Sequence, residues 1–291
     1  MNAKTKAWRV RAHMNAGTKA RYMRAMVYAG AAFTVFVLLV LVGYILVKGI
    51  PNLSPELFAW KYTSENVSLM PALINTLLMT ALSLFIAVPL GLGAAIYLTE
   101  YARRGNRLVK LVRITAETLS GIPSIIYGLF GSLFFVVAMG MGLSLLSGAL
   151  TLSIMVLPLI MRTTEEALLA VPDSYREGSF GLGAGRLRTT FRAVLPSAVP
   201  GILSGVILAI GRIVGETAAL IYTAGTVPEV AKGLFSSTRT LSVHMYAISS
   251  EGLYINQSYA TAVVLLVIVI GINALSSFVA GKIGRSNHGK I

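Results

Sequence analysis

Six apolar runs divide the chain, at roughly 27–47, 72–98, 119–139, 143–161, 199–224 and 260–281. Each is close to the about 20 residues an α-helix needs to cross the hydrocarbon core of a bilayer. The pattern predicts an all-α integral membrane protein with six transmembrane helices. The first run follows a basic leader, residues 1–26. From Val27 to Val47 it is longer than the roughly 7–15 residues of a signal-peptide core, and no small-x-small cleavage site follows, so it reads as an uncleaved first span. Composition agrees: of 291 residues, 55% are hydrophobic and only 12% charged, which excludes an ordinary soluble domain.

The formal charge of +14 changes the picture through its distribution. Segments 1–26, 99–118, 162–198 and 282–291 hold 20 of the 25 Lys and Arg, against four in 48–71 and 225–259. Alternate connections are therefore basic, and the positive-inside rule places both termini and the loops 99–118 and 162–198 in the cytoplasm. The charge orients the chain in the lipid bilayer, and nucleic acid is not an expected partner. Cysteine is absent, and His13, His244 and His288 lie in different segments, so neither a disulfide framework nor a metal cluster is expected.

The segment 162–198 is too patterned for a passive connection. Thr163 with Glu166, and Ser174 with Glu177, have the spacing of capping boxes, which predicts two short helices. Pro172 should end the first, and Gly183 stands where the second needs a left-handed residue to close. Leu187, Phe191 and Val194 then fall at i, i+4 and i+7, one face of a third helix, among Arg186, Arg188 and Arg192. On these signals alone a docking element and an ordered connection both stay open.

Within this segment Glu177-Gly178-Ser179, then Gly183, then Leu195-Pro196, resembles the EAA loop of bacterial binding-protein-dependent ABC permeases: E-A-A, three residues, G, nine residues, I-x-L-P. Gly178 and Ser179 replace the two alanines and Ala193 the isoleucine. The resemblance implies that Glu177, Gly178, Ser179, Gly183, Leu195 and Pro196 couple the spans to an ATPase subunit. Three further stretches, GIPSIIYGLFGSLFF (121–135), LPLIMRTTEEAL (157–168) and GRIVGETAALIYTAG (211–225), are similar to the PstA-type branch of that family, the permease subunits of phosphate importers. Ala219 stands where such chains often have proline, which predicts a straighter helix. The resemblance implies a location in the bacterial cytoplasmic membrane, a PstC-like second permease, two PstB-like ATPase subunits and a PstS-like phosphate-binding protein, for which residues 226–259 are either a contact or a solvated cap. No GxxxxGK[ST] loop occurs in the sequence, so the chain is not expected to be an enzyme; ATP and magnesium belong to the ATPase. The whole divides into the segment 1–26, a six-span permease domain 27–281 containing the coupling loop 162–198, and a tail 282–291.

Two charges interrupt the fifth apolar run. A central charge in a span costs about 2.5–3.5 kcal/mol and so normally faces a partner or a wet cavity. On a wheel of 100° per residue Arg212 and Glu216 share a face with Gly201, Gly205, Leu208, Gly215 and Ala219, and at i and i+4 they can pair. A guanidinium fork matches two phosphate oxygens and stays ionised. Glu216 has three open roles: orienting the guanidinium, offsetting its charge, or accepting from a protonated phosphate oxygen. A purely structural ion pair is the alternative. Arg162, in the LPxxxRTTE pattern, is a further pathway candidate, and Pro158 is expected to kink its helix. The expected function is an ATP-driven importer of inorganic phosphate. Permeases for molybdate, sulfate or phosphonate are alternatives, and an ion-coupled transporter leaves the EAA-like loop unexplained.

Accessibility labelling of single-cysteine variants should find Arg104 and Arg188 positions closed to impermeant reagent in intact cells and open after lysis. Labelling of either from outside would overturn the orientation.

Overall fold

The computed structural model describes residues 3–103 and 105–288. Arg104, residues 1 and 2, and the end of the expected tail, 289–291, lie outside these, as does the side chain of His288. Among the described residues the chain is helical, without a strand. Five helices are long and apolar enough to cross a membrane, and a bent pair supplies the sixth. In chain order the elements are α1 (Ala3–Gly49), α2 (Met70–Ile96), α3 (Arg107–Ser120), α4 (Ser124–Gly131), α5 (Leu145–Leu169), α6 (Asp173–Gly181), α7 (Arg186–Thr189), α8 (Leu195–Val214), α9 (Ala218–Thr223), α10 (Leu241–Ser250) and α11 (Ile255–His288).

The bundle is built around α5, whose apolar window is 67% buried, whereas the other long helices bury at most 28%. Leu152, Met155, Val156 and Ile160 of α5 form a core with Met79 and Ala87 of α2, Ala209 and Ile213 of α8, and Leu220 of α9. Small residues set the close approaches. A Cβ on Gly205 would strike Thr163, and one on Gly201 would lie 2.6 Å from Ala167, so the small face of α8 packs on α5. In α4, Gly128 and Gly131 do the same: a Cβ on Gly128 would lie 2.7 Å from Ala219, and one on Gly131 would meet Thr151 and Thr223. The YGLFG spacing thus serves contact with α5 and α9. Polar bonds add register, with Ser153 Oγ donating to the Ser83 carbonyl of α2 at 3.0 Å.

Several sequence expectations are corrected. The third span does not begin at 119. α3 ends at Ser120 and turns by 102° into the helix Ser124–Ala138, because Gly121 and Pro123 break the run. That helix continues α4 through a widened turn, Ser132–Ala138. At 1.5 Å per residue it is about 22 Å long, short of the roughly 30 Å core. The fourth span does not stop at 161. α5 runs unbroken through Pro158 to Leu169, since TEEALL favours helix until Pro172. Thr163 is consequently no cap: its hydroxyl donates to the Leu159 carbonyl at 2.9 Å. The residue before α6 is Pro172, so Ser174 lies inside the first turn and forms no capping box. The third helix of the loop is not separate either. α7 passes through a wide turn, Thr190–Val194, into α8, making one helix from Arg186 to Val214. Val194 is buried while Leu187 and Phe191 are exposed, so the expected apolar face is split.

Residues 226–259 are packed into the bundle in part, while Leu234, Phe235 and Leu253 stay exposed. Asn75 of α2, fully buried, donates to the carbonyls of Glu229 and Arg239 and accepts from the Ala231 amide, and Thr76 accepts from the Leu241 amide. Leu241, Val243 and Ile248 of α10 are buried.

Gly131→Val should destabilise the fold by about 1–3 kcal/mol through overpacking against Thr151 and Thr223. A lower midpoint of thermal aggregation in detergent is the expected reading, and Gly93→Val, with open space around it, should leave that midpoint unchanged.

Candidate functional site

The fifth span is broken where its charges lie. α8 ends at Val214, Gly215 closes it, Thr217 leaves helical geometry at φ −124°, ψ −54°, and α9 restarts at Ala218. The wheel that placed Arg212, Glu216 and Ala219 on one face assumed a continuous helix and fails beyond Val214. Arg212 and Glu216 do not form an ion pair. Glu216 is buried, and its groups secure the break: Oε1 accepts from the Ala219 amide at 3.0 Å, its carbonyl accepts from Ser242 Oγ at 2.6 Å, and its amide donates to the Ile213 carbonyl at 3.1 Å. The alanine at 219 does not straighten this helix; its N–H is the donor that a proline would lack.

Arg212 is half-buried at the end of α8, with no acidic side chain in ion-pair range among the described residues. In α4, the Tyr127 hydroxyl donates to the Leu119 carbonyl at 2.8 Å. Arg162 behaves differently. Its Nε donates to Glu166 at 3.0 Å, its Nη1 lies 3.8 Å from Glu117 of α3, and over half of its side chain is exposed. The structure ties it to the α3–α5 contact, beside a second tie from Arg113 to Glu165.

At the basic end, α6 carries Glu177 and Gly178, both exposed, and Ser179, whose hydroxyl bonds Thr189 Oγ1 at 2.8 Å. Gly183 has φ +81°, the expected left-handed residue. The Gly183 amide donates to the Phe180 carbonyl and the Ala184 amide to that of Ser179, the paired bonds of a Schellman closure. Leu195 and Pro196 are the first residues of α8. The six coupling candidates thus divide between α6 with its closing turn and the start of α8.

The sequence reading missed the residue that holds α6 in place. Arg176 Nη2 donates to Glu100 at 2.7 Å and to the Leu168 carbonyl at 2.9 Å, while Nη1 donates to the Val171 carbonyl at 2.9 Å and to Asp173 at 3.2 Å. The hydrogen bond to Glu100 raises the guanidinium pKa above its ordinary value. One side chain therefore clamps α6 to the ends of α2 and α5. The available signal was a lone acid, Glu100, closing an otherwise apolar span. Arg239 was also missed: it is buried, its guanidinium lies 4.8 Å from the centre of the Tyr62 ring, and its Nε and Nη2 have no hydrogen-bond partner among the described residues. Beside it, burial pushes the His244 imidazole down to about 3, an effect reinforced by Arg239.

Residues 87–286 match the profile of the binding-protein-dependent transport system inner membrane component. The chain belongs to this family. Among its relatives, the Bacillus subtilis (strain 168) "Probable ABC transporter permease protein YqgI" is 34% identical over 238 residues, 77% of this chain and 81% of the relative. The "Phosphate transport system permease protein PstA 1" of Mycobacterium tuberculosis is 34% identical over 217 residues, 72% of this chain and 71% of the relative. A bacterial alginate ABC transporter, solved with an alginate pentasaccharide-bound periplasmic protein, superposes with a TM-score of 0.63 at 17% identity, covering 89% of this chain and 95% of that one, and shows the fold alone. As an ABC permease of the inner membrane, the chain is a multi-pass subunit that works with a partner permease, an ATPase and a binding protein.

Arg176→Leu should leave the largely enclosed Glu100 carboxylate unpaired, weakening the attachment of α6 by about 3 kcal/mol. Hydrogen exchange of the 173–181 amides should rise at least tenfold, while amides in the middle of α5 stay protected. Adding Glu100→Gln should restore part of the protection.

Proposed function

We propose that this permease moves inorganic phosphate inward, driven by ATP hydrolysis on separate subunits, with a PstC-like permease beside it, two PstB-like ATPases below and a PstS-like protein delivering phosphate. One observation carries the reading. Arg212 is a permanent cation inside a span, at the end of α8, with no acid in ion-pair range among the described residues. A transported oxyanion supplies that countercharge, and the planar fork matches two of its oxygens. Glu216 serves the site by fixing the break that sets the position of Arg212. The identity to phosphate permeases over most of the chain supports phosphate rather than another oxyanion.

In this reading the basic end is cytoplasmic. Glu177, Gly178, Ser179, Gly183, Leu195 and Pro196 present the docking surface to the ATPase, which holds ATP and magnesium. Arg162, held by Glu166 and Glu117, acts as a cation at the cytoplasmic exit, where release into water needs only a weak site.

The absence of an Arg212–Glu216 pair makes a single substitution informative. Arg212→Met leaves the Glu216 bonds in place, so the variant should insert and assemble with unchanged thermal stability. Uptake of labelled phosphate should fall about a hundredfold, matching roughly 3 kcal/mol of charge-assisted hydrogen bonding. Arg212→Lys, which keeps charge without the fork, should retain an intermediate rate. Excess sulfate should leave wild-type uptake unchanged. Near wild-type uptake by an assembled Arg212→Met complex would remove Arg212 from the pathway.

A further inference from the structure

Beside the clamp lies a cavity of about 970 Å³, bounded by the end of α2, the linker to α3, α3 itself and the α6–α7 segment. Its charge is unbalanced. Glu100 and Asp173 are engaged by Arg176, and Arg113 by Glu165. Arg103, Arg107, Lys110 and Arg186 line the same space with no acid in ion-pair range among the described residues, and all four are exposed. The floor includes the buried apolar side chains of Leu98 and Val109.

α3 fixes the depth of this cavity. The helix turns 102° away from the helix that follows it, so it lies across the bundle rather than along it. Leu108, Leu111 and Val112, at i, i+3 and i+4, form one exposed apolar stripe. At 100° per residue Lys110 and Arg113 fall on the opposite side. A helix with this division settles in the plane of the interface, its apolar stripe at the edge of the acyl chains and its cations among the headgroups. The cavity on the cationic side therefore stands at headgroup level.

We propose that this cavity binds the phosphate headgroup of an anionic phospholipid, with Arg103, Arg107, Lys110 and Arg186 as its cationic lining and α3 as its interfacial wall. Basic pockets between membrane helices take such headgroups. A lipid accounts for both halves of α3, the chains covering the leucine stripe and the headgroup meeting the cations. Free phosphate shares the headgroup chemistry but has no use for the stripe. The site adjoins Arg176 and Asp173, so an occupant touches the clamp that positions α6.

The assembled importer, purified from vesicles of phosphatidylethanolamine, phosphatidylglycerol and cardiolipin, tests this by mass spectrometry of retained lipid. The wild type should retain the anionic lipids over phosphatidylethanolamine. Arg107→Gln, Lys110→Gln and Arg186→Gln together should reduce that preference roughly a hundredfold, at about fivefold per cation removed. Lys48→Gln, Lys61→Gln and Lys232→Gln, an equal change of charge at the opposite end of the bundle, should leave it within about twofold of the wild type. A photoreactive phenylalanine at Lys110 in the assembled complex should capture phospholipid. Equal retention by the two triple variants, displacement of lipid by millimolar inorganic phosphate, or a photoadduct with the ATPase instead of lipid would each overturn the assignment.

Discussion

A helix interrupted at membrane depth must find new partners for the peptide groups it frees, because hydrocarbon offers none. That constraint organises the fifth span. Gly215 and Thr217 open the chain, and Glu216, with its carboxylate on the Ala219 amide and its carbonyl on Ser242, closes the deficit from both sides. Ser242 lies in the first turn of α10, and the buried end of the connection before it, Thr238 to Thr240, is held against α2 by Asn75 and Thr76. The close contact of Gly128 with Ala219 then seats α4 against the restarted helix. A charge that invites reading as a substrate ligand is first a backbone cap, and it forms no ion pair with its neighbour Arg212.

The second organising element is α5. Its burial on nearly all sides makes it the fixed reference for α2, α8 and α9, while α1 is almost wholly exposed along its span and meets the rest mainly through α11, where Tyr44 and Tyr259 contact edge to face. Charged ties at the basic end stay with the same helix: Arg113–Glu165 and Arg162–Glu117 fasten α3 to it, and Arg176 fastens α6 to the carbonyls of Leu168, in its last turn, and Val171, just beyond it. The exposed faces of α1, α3 and α4 are those that lipid or the partner permease must cover.

Much of this was legible in the residues and some was not, for identifiable reasons. Hydropathy located six runs because burial in lipid demands long apolar stretches, and Gly183 was readable because a left-handed closure favours glycine so strongly. The break at 215–217 escaped because only one glycine marks it, and its stabilising partner, Ser242, lies 26 positions away. Arg176 and Glu100 escaped for the same reason at a separation of 76. The two capping boxes failed because α5 continues through Thr163 and Pro172 precedes α6, so neither hydroxyl stands at a helix start. Local pattern reports what a segment can do alone; the site depends on pairs that meet only after the bundle closes.

One consequence of the uninterrupted helix from Arg186 to Val214 is mechanical. At 1.5 Å per residue, Arg212 lies about 39 Å along the axis from Arg186. It pivots where Gly201 and Gly205 meet α5, roughly 25 Å from Arg186 and about 14 Å from Arg212, so a tilt that carries the basic end through about 5 Å carries the guanidinium about 3 Å the other way, the length of a hydrogen bond. A displacement beside α6 thus reaches the break reversed and roughly halved, and is still large enough to make or lose the contacts that Arg212 offers an anion.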